Sequence, residues 1–145
     1  MLRDRSLIPL SHQHHNGLAL CVLTERGLAA DASEESVRNL AQRIVDRYEI
    51  ELINHFEMEE QLLFPLCLGP LADELIGEHR ELERMVRGLS ATPTAERLTE
   101  FSELLRRHIR REENEYFQKV QEQVPRDQLD AVGAEIERKA VRVCL

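Results

Sequence analysis

The sequence predicts an all-α fold: an up-down-up-down four-helix bundle with a short C-terminal fifth helix. Leu, Ala, Val, Glu and Arg dominate the 145 residues, a composition that favours helix over sheet. Gly (6) and Pro (5) are sparse, so we expect few turns and long elements between them. Apolar residues recur with the 3.6-residue period of a helix. Long helices joined by short connectors pack most simply as an antiparallel bundle.

Capping residues and prolines divide the chain into these helices. Asp31 and Glu34 have the three-residue spacing of a capping box, which predicts the start of the second helix. Pro65 ends that helix, Pro93 fits the first position of the fourth, and Pro125 ends the fourth. We therefore expect helices over about residues 9–29, 31–64, 71–89, 94–123 and 127–143. The chain, residues 1–145, is short enough for one domain, with the bundle over about residues 10–123.

Charge and composition exclude several classes of function. The net charge of -8 disfavours a nucleic-acid partner, because such binders normally carry a basic surface. No apolar run approaches the ~18 residues of a membrane-spanning helix, and no signal peptide is expected. Cys21, Cys67 and Cys144 are far apart without a C-x-x-C motif, which is typical of a reducing cytoplasm. We expect a cytoplasmic protein, a monomer or homodimer, that binds no membrane.

An internal repeat is the most informative feature of the sequence. Segments 55–64 and 108–117 align without gaps and belong to the second and fourth predicted helices. The two helices therefore look like copies, which a bundle of two similar hairpins would relate by a pseudo-two-fold axis. The matched residues are His55 with His108, Glu59 with Glu112, Glu60 with Glu113, and Phe64 with Phe117.

The repeated His-x-x-x-Glu spacing predicts a metal site. Residues four apart on a helix lie on one face, about 6 Å apart. His14 and His79 occupy positions on the apolar stripes of the first and third helices, where a hydrophobic residue would be expected. Buried imidazoles and carboxylates at one level of a small bundle would be costly without a partner, and a metal removes that cost. The predicted ligands are His14, His55, Glu59, His79, His108 and Glu112.

The ligand types and their number indicate a dinuclear centre. Imidazole and carboxylate without thiolate suit iron, manganese or zinc. Six ligands exceed the four of a tetrahedral zinc site, and two carboxylates across a pseudo-two-fold axis can bridge two ions. Glu83 and His15 are additional candidate ligands.

Several neighbouring residues are candidates for supporting roles. Glu57, Glu60, Glu83 and Glu113 can add charge or hydrogen bonds around the ligands. Tyr48 and Tyr116 are expected to face inward near the site. For both tyrosines the interpretation as core aromatics is favoured over a role as hydrogen-bond donor or radical residue.

These motifs resemble those of hemerythrin-like proteins with an HHE cation-binding domain. The resemblance runs from about Ser11 to Val124, and its most specific part is the stretch 55–65. Oxygen-carrying hemerythrins have His-x-x-x-His on the third helix and His-x-x-x-x-Asp on the fourth. Here Glu83 and Glu112 stand in the corresponding motifs. The pattern H, HxxxE, H, HxxxE is similar to a subgroup linked to peroxide disproportionation, nitric oxide chemistry or iron sensing rather than oxygen transport.

The resemblance implies two iron ions per chain, joined by an oxo or hydroxo bridge, with manganese or zinc as alternatives. Four His, two bridging carboxylates and an oxo bridge would supply ten of the twelve bonds of two six-coordinate irons. The two open positions favour redox turnover over reversible carriage. We expect a protein that binds or reacts with dioxygen, peroxide or nitric oxide. A catalase- or peroxidase-like enzyme and a sensing or storage module for oxygen, iron or nitric oxide both remain open.

Overall fold

The computed structural model describes residues 2–143, and within them the chain forms five helices and no strand, as the sequence predicts. Helices α1 and α4 pack together, as do α3 and α4, α2 and α3, and α1 and α2, which closes a four-helix bundle. No helix in this part of the chain is both long enough and apolar enough to cross a membrane. The helices are α1 (Ile8–Ala30), α2 (starting with Glu34–Arg47), α3 (Pro70–Ala91), α4 (starting with Ala95–Arg111) and α5 (Arg126–Lys139).

Helices α2 and α4 contain π-helical turns that the hydrophobic pattern does not predict. A π turn widens the helix locally and occurs often at functional sites. One turn in each helix begins at the Glu of the His-x-x-x-Glu motif. After its first segment, α2 continues as Tyr48–Leu52 (π), Ile53–Met58 (α), Glu59–Leu63 (π) and Phe64–Leu66 (3-10), and α4 continues as Glu112–Tyr116 (π) and Phe117–Gln123 (α).

Two helices begin at other residues than the sequence predicts. Helix α2 is capped by Ser33, whose side chain accepts a hydrogen bond from the Ser36 amide. Asp31 instead accepts from the Ser33 amide, in the turn before the helix. Helix α4 is capped by Thr94, so Pro93 precedes the helix rather than starting it. In both places a Ser or Thr that lies closer to the helix, Ser33 or Thr94, provides the N-cap, so the earlier residue stays outside the helix.

The predicted last helix is too long. Helix α5 ends at Lys139, and residues 140–143, hereafter the C-terminal segment, are not helical. Side chains of α1 and α2 bind the backbone of this segment and compete with helical hydrogen bonding. Tertiary contacts therefore override the local pattern. Cys144 lies outside the described residues.

Two hydrophobic clusters fill the bundle on either side of a polar layer. One contains Leu20, Ile44, Leu82, Leu89, Leu98 and Phe101, and the other contains Leu10, Leu63, Leu75, Tyr116, Phe117 and Val120. On α1 and α3 a histidine lies in the chain between residues of the two clusters, at His14 and His79. The packing thus isolates one layer of polar side chains in the middle of the bundle.

Candidate metal centre

The polar layer contains all six side chains that the sequence nominates as metal ligands. Each is at most 3% exposed. They form two overlapping groups, and within each group potential ligand atoms lie within 4.8 Å of one another. Both groups share Glu59 and Glu112. One is His14, His55, Glu59 and Glu112, and the other is Glu59, His79, His108 and Glu112.

The Nε2 atoms of the histidines converge on the two shared carboxylates. Along α2, His55 Nε2 lies 3.2 Å from Glu59 Oε1, and along α4 His108 Nε2 lies 3.3 Å from Glu112 Oε1. These short distances follow from the four-residue spacing on a helix. From the other two helices, His14 Nε2 lies 2.8 Å from Glu112 Oε1 and His79 Nε2 lies 3.1 Å from Glu59 Oε1.

Four polar atoms in the middle of this layer have no hydrogen-bond partner. They are His55 Nε2, His108 Nε2, Glu59 Oε2 and Glu112 Oε2. The His-to-Glu distances along α2 and α4 are short, but these atoms are not aligned for hydrogen bonds. Each unsatisfied buried polar atom costs about 1–3 kcal/mol. Cations bound between them would satisfy all four, so the residues fit a metal centre.

The opposite ring nitrogen of every histidine meets an oxygen outside the layer. Such an outer hydrogen bond fixes the ring and leaves Nε2 free to face the centre. The bonds join His14 Nδ1 to Glu113 Oε2 (2.6 Å), His55 Nδ1 to Gln13 Oε1 (2.9 Å), His79 Nδ1 to Glu60 Oε2 (2.8 Å) and His108 Nδ1 to Glu78 Oε1 (2.8 Å).

Two of these four outer partners were among the residues considered from the sequence and two were missed. Glu60 and Glu113 directly follow the Glu of each motif, as the repeat suggests. Gln13 and Glu78 were missed, although each directly precedes a histidine of the layer, at His14 and His79. Comparing the first and third helices in the same register would have found both. Glu57 is exposed and holds no outer bond to a histidine.

The outer bonds obey the pseudo-two-fold relation of the repeat. The residue after each motif Glu reaches the histidine of α1 or α3, and the residue before that histidine reaches back to α2 or α4. Three of the four partners are carboxylates. Gln13 is the exception. It is an uncharged amide, whereas its counterpart Glu78 is a carboxylate.

The pKa values of three groups in the layer differ strongly from their usual values. Burial and the charge of Glu112 raise the pKa of Glu59 well above its usual value. Burial opposes ionisation of Glu112 too, but the charge of His108 outweighs it and holds that pKa well below its usual value. Burial, followed by the charge of His14, lowers the pKa of His55 to about 4. A cation bound here would displace protons from the layer.

Aromatic rings from both hydrophobic clusters stack on histidines of the layer. Phe56 stacks on His79 with ring centroids 4.0 Å apart, and Phe117 stacks on His14 at 5.2 Å. Phe117 and Phe64 are matched residues of the repeat, and Phe64 stacks on His79 at 5.7 Å. The site is therefore apolar around its polar centre.

The remaining nominated residues lie outside both groups. Tyr116 is buried, and its hydroxyl donates to the carbonyl oxygen of Cys67 at 2.9 Å. Tyr48 is half-buried and packs edge-on against Phe56. Glu83 accepts a hydrogen bond from Arg80 at 2.6 Å, and His15 is exposed.

The chain matches a known family over most of its length. Residues 7–120 match the Hemerythrin HHE cation binding domain. No curated protein matches the chain. The family match spans α1 to α4 and includes every residue of the polar layer. The chain therefore belongs to the hemerythrin family of HHE cation-binding domains and is a metal-binding protein.

Proposed function

We propose that the six residues of the polar layer bind two iron ions, and that this centre binds or reacts with dioxygen, peroxide or nitric oxide in the cytoplasm. The observation that carries the proposal is the sharing of Glu59 and Glu112 between two groups of potential ligands. A carboxylate has two oxygens, so each can bridge two ions. Each ion would then have two histidines of its own.

The donor set supports iron, with manganese or zinc as alternatives. Both groups offer only imidazole nitrogen and carboxylate oxygen, which suits these metals. Neither described cysteine belongs to them. The Cys21 thiol lies against the Ser102 carbonyl, and the Cys67 thiol lies against the Gln123 side chain.

The surroundings favour small ligands over large substrates. The six side chains are almost fully buried, and aromatic rings stack on His14 and His79. These residues exclude bulk water and leave little room for a bulky molecule. Iron would supply one-electron redox chemistry, and the chain would hold the histidines in place through their outer hydrogen bonds.

Iron loading tests this proposal directly. Metal-free protein is loaded anaerobically with ferrous iron, and dioxygen or peroxide is then added while the visible spectrum and gas evolution are followed. Two irons per chain are expected. Sustained oxygen release from peroxide would indicate a catalase-like enzyme, and a reversible spectral change with dioxygen would indicate binding without turnover, as in a sensor or store. A maximum of one ion per chain would refute the dinuclear centre. As a control, Glu57→Gln, an exposed change within the repeated segment 55–64, should load two irons as the parent protein does.

A further inference from the structure

We propose that the C-terminal segment, acting through Gln13, holds His55 in the ring tautomer that binds metal. The inference rests on the proposed function, because it gives a residue outside the ligand set a role in one half of the centre. The segment follows α5 and lies against α1 and α2, close to the only histidine of the polar layer whose outer partner is uncharged.

Three side chains bind the backbone around this segment. Val141 donates its amide to Asn54 Oδ1 at 2.9 Å, and Asn54 Nδ2 donates to the Lys139 carbonyl at 3.0 Å. Gln13 Nε2 donates to the Val141 carbonyl at 3.1 Å. Asn16 Nδ2 donates to the Val143 carbonyl at 3.0 Å.

The backbone of the segment determines how the side-chain amides of Asn54 and Gln13 are oriented. A backbone N–H can only donate and a carbonyl can only accept. Val141 therefore needs the oxygen of Asn54, and Lys139 needs its nitrogen. Gln13 Nε2 faces two acceptors, the Val141 carbonyl and Asn54 Oδ1, the latter at 2.9 Å. The opposite orientation of Gln13 would place an oxygen against two oxygens.

This orientation selects the tautomer of His55. With its nitrogen committed to the segment, Gln13 presents only Oε1 to His55 Nδ1, at 2.9 Å. That oxygen accepts, so Nδ1 carries the proton and the Nε2 lone pair faces the centre. A Gln13 amide without the segment can rotate and donate instead. The proton would then sit on Nε2 and block the metal.

The other three histidines do not depend on such a device. His14, His79 and His108 donate to carboxylates, which accept in every orientation. Loss of the C-terminal segment should therefore weaken one metal position, that of His14 and His55, and leave the other intact. Replacing Gln13 by a carboxylate should remove the dependence.

Four proteins test the inference: the full chain and a chain ending at Arg138, each with Gln13 or with Gln13→Glu. The shorter chain also lacks the Lys139 carbonyl, which would otherwise keep Asn54, and through it Gln13, in the same orientation. Metal-free samples are titrated with Co²⁺ and followed by absorbance. Shortening should weaken one of the two equivalents about 10–100-fold when Gln13 is present, the usual effect of losing an outer partner. With Gln13→Glu, shortening should weaken neither equivalent, because a carboxylate accepts from His55 in every orientation and the removed Val141 carbonyl is one of the two oxygens that face this side chain. Equal affinities for the two Gln13 proteins, or equal losses with Gln13→Glu, would overturn the inference.

A second readout does not depend on metal. Nitrogen-15 NMR of the metal-free full chain should show the Nδ1–H tautomer of His55, and the shortened chain should show a mixture or the Nε2–H form. An unchanged tautomer would overturn the inference. If the full chain binds no metal, the proposed function fails while this readout still decides the role of Gln13.

Two full-length variants separate the relay from simple damage to the fold. Asn54→Leu removes the side chain that orients Gln13 and should shift the tautomer in the same direction as shortening. Gln61→Leu changes an exposed amide on the same helix and should leave the tautomer and both affinities unchanged. A shift with Gln61→Leu equal to that with Asn54→Leu would count against the relay.

Discussion

The two faces of the bundle that flank the polar layer support their histidines in different ways. On the covered face, between α1 and α2, the C-terminal segment binds Gln13 and Asn54. On the open face, between α3 and α4, the counterpart of Gln13 is Glu78, which lines a groove of about 540 Å³. Each face thus holds one histidine of a repeated motif, His55 or His108, by its Nδ1 atom.

The difference shows that one ring geometry can be maintained by two kinds of contact. On the open face Arg111 donates to Glu78 Oε2 at 3.1 Å, so the outer partner is held by charge. Arg107, the counterpart of Asn54, lines the same groove. On the covered face neutral amides are held by backbone. The charged arrangement works without a cover, whereas the neutral one needs the C-terminal segment.

The largest effect on metal loading is expected for the two carboxylates that both groups of ligands share. Glu59→Ala or Glu112→Ala removes a carboxylate that belongs to both groups of ligands and should abolish loading of both ions. His108→Ala removes a residue of one group only and should spare the ion bound by His14 and His55. Metal content after loading, measured by elemental analysis, checks the result. Two ions retained in the Glu59 variant would contradict its shared role.

A smaller effect should be confined to the open face. Glu78→Gln replaces the carboxylate behind His108 by an amide that no chain segment orients. Loss of such an outer partner typically lowers metal affinity 10–100-fold, so one of two Co²⁺ equivalents should weaken to about this extent. Glu103→Gln, an exposed change that lines the same groove without pairing with Arg111, is the control. Equal weakening of both equivalents would mean that the faces are not independent.

A change in the core between the faces should affect stability alone. Tyr116→Phe removes the hydroxyl that donates to the Cys67 carbonyl and should cost about 1 kcal/mol of unfolding free energy. Denaturant unfolding of the metal-free protein measures this cost. Both Co²⁺ affinities should stay unchanged, since the hydroxyl points to backbone rather than to the ligands. Loss of either affinity would give Tyr116 a direct role at the centre.

The smallest effect concerns the attachment of α5, which carries the C-terminal segment. A hydrogen bond from Arg126 holds the pKa of Asp4 below its usual range. Because the folded-state pKa is depressed, this contribution to stability is present above the unfolded value of about 3.9 and is lost as the pH falls below it. Asp4→Asn should be less stable than the parent at pH 6, and the difference should shrink toward pH 2. Chemical denaturation at several pH values measures it.

Helical geometry explains how much of the centre could be predicted from the sequence. The four-residue spacing places His55 with Glu59 and His108 with Glu112 on any helix, so no tertiary information is needed. The outer partner Gln13 could not be found in this way, because its role depends on which neighbouring helix it faces. Its amide orientation depends on Val141, more than a hundred residues later in the chain.

Most of the fold could be predicted because helix formation depends on local sequence. The errors in the predicted helices have physical causes. Hydrophobic periodicity and prolines such as Pro65 and Pro125 predict the helices, because both act locally. The end of α5 at Lys139 was missed because side chains on other helices bind the backbone that follows. The π turns at Glu59 and Glu112 were missed because a single wide turn barely alters the hydrophobic pattern.

The neutral amide at Gln13 also has a consequence for how electrons would be distributed in the centre. An imidazole that donates to a carboxylate is a stronger electron donor than one that donates to an amide. Both histidines of the open-face group, His79 and His108, have carboxylate partners, but only His14 does in the other group. Two irons held here would be electronically unequal. His79 and His108 would give an ion bound between them the greater electron density, and so favour its oxidised state over that of an ion held by His14 and His55.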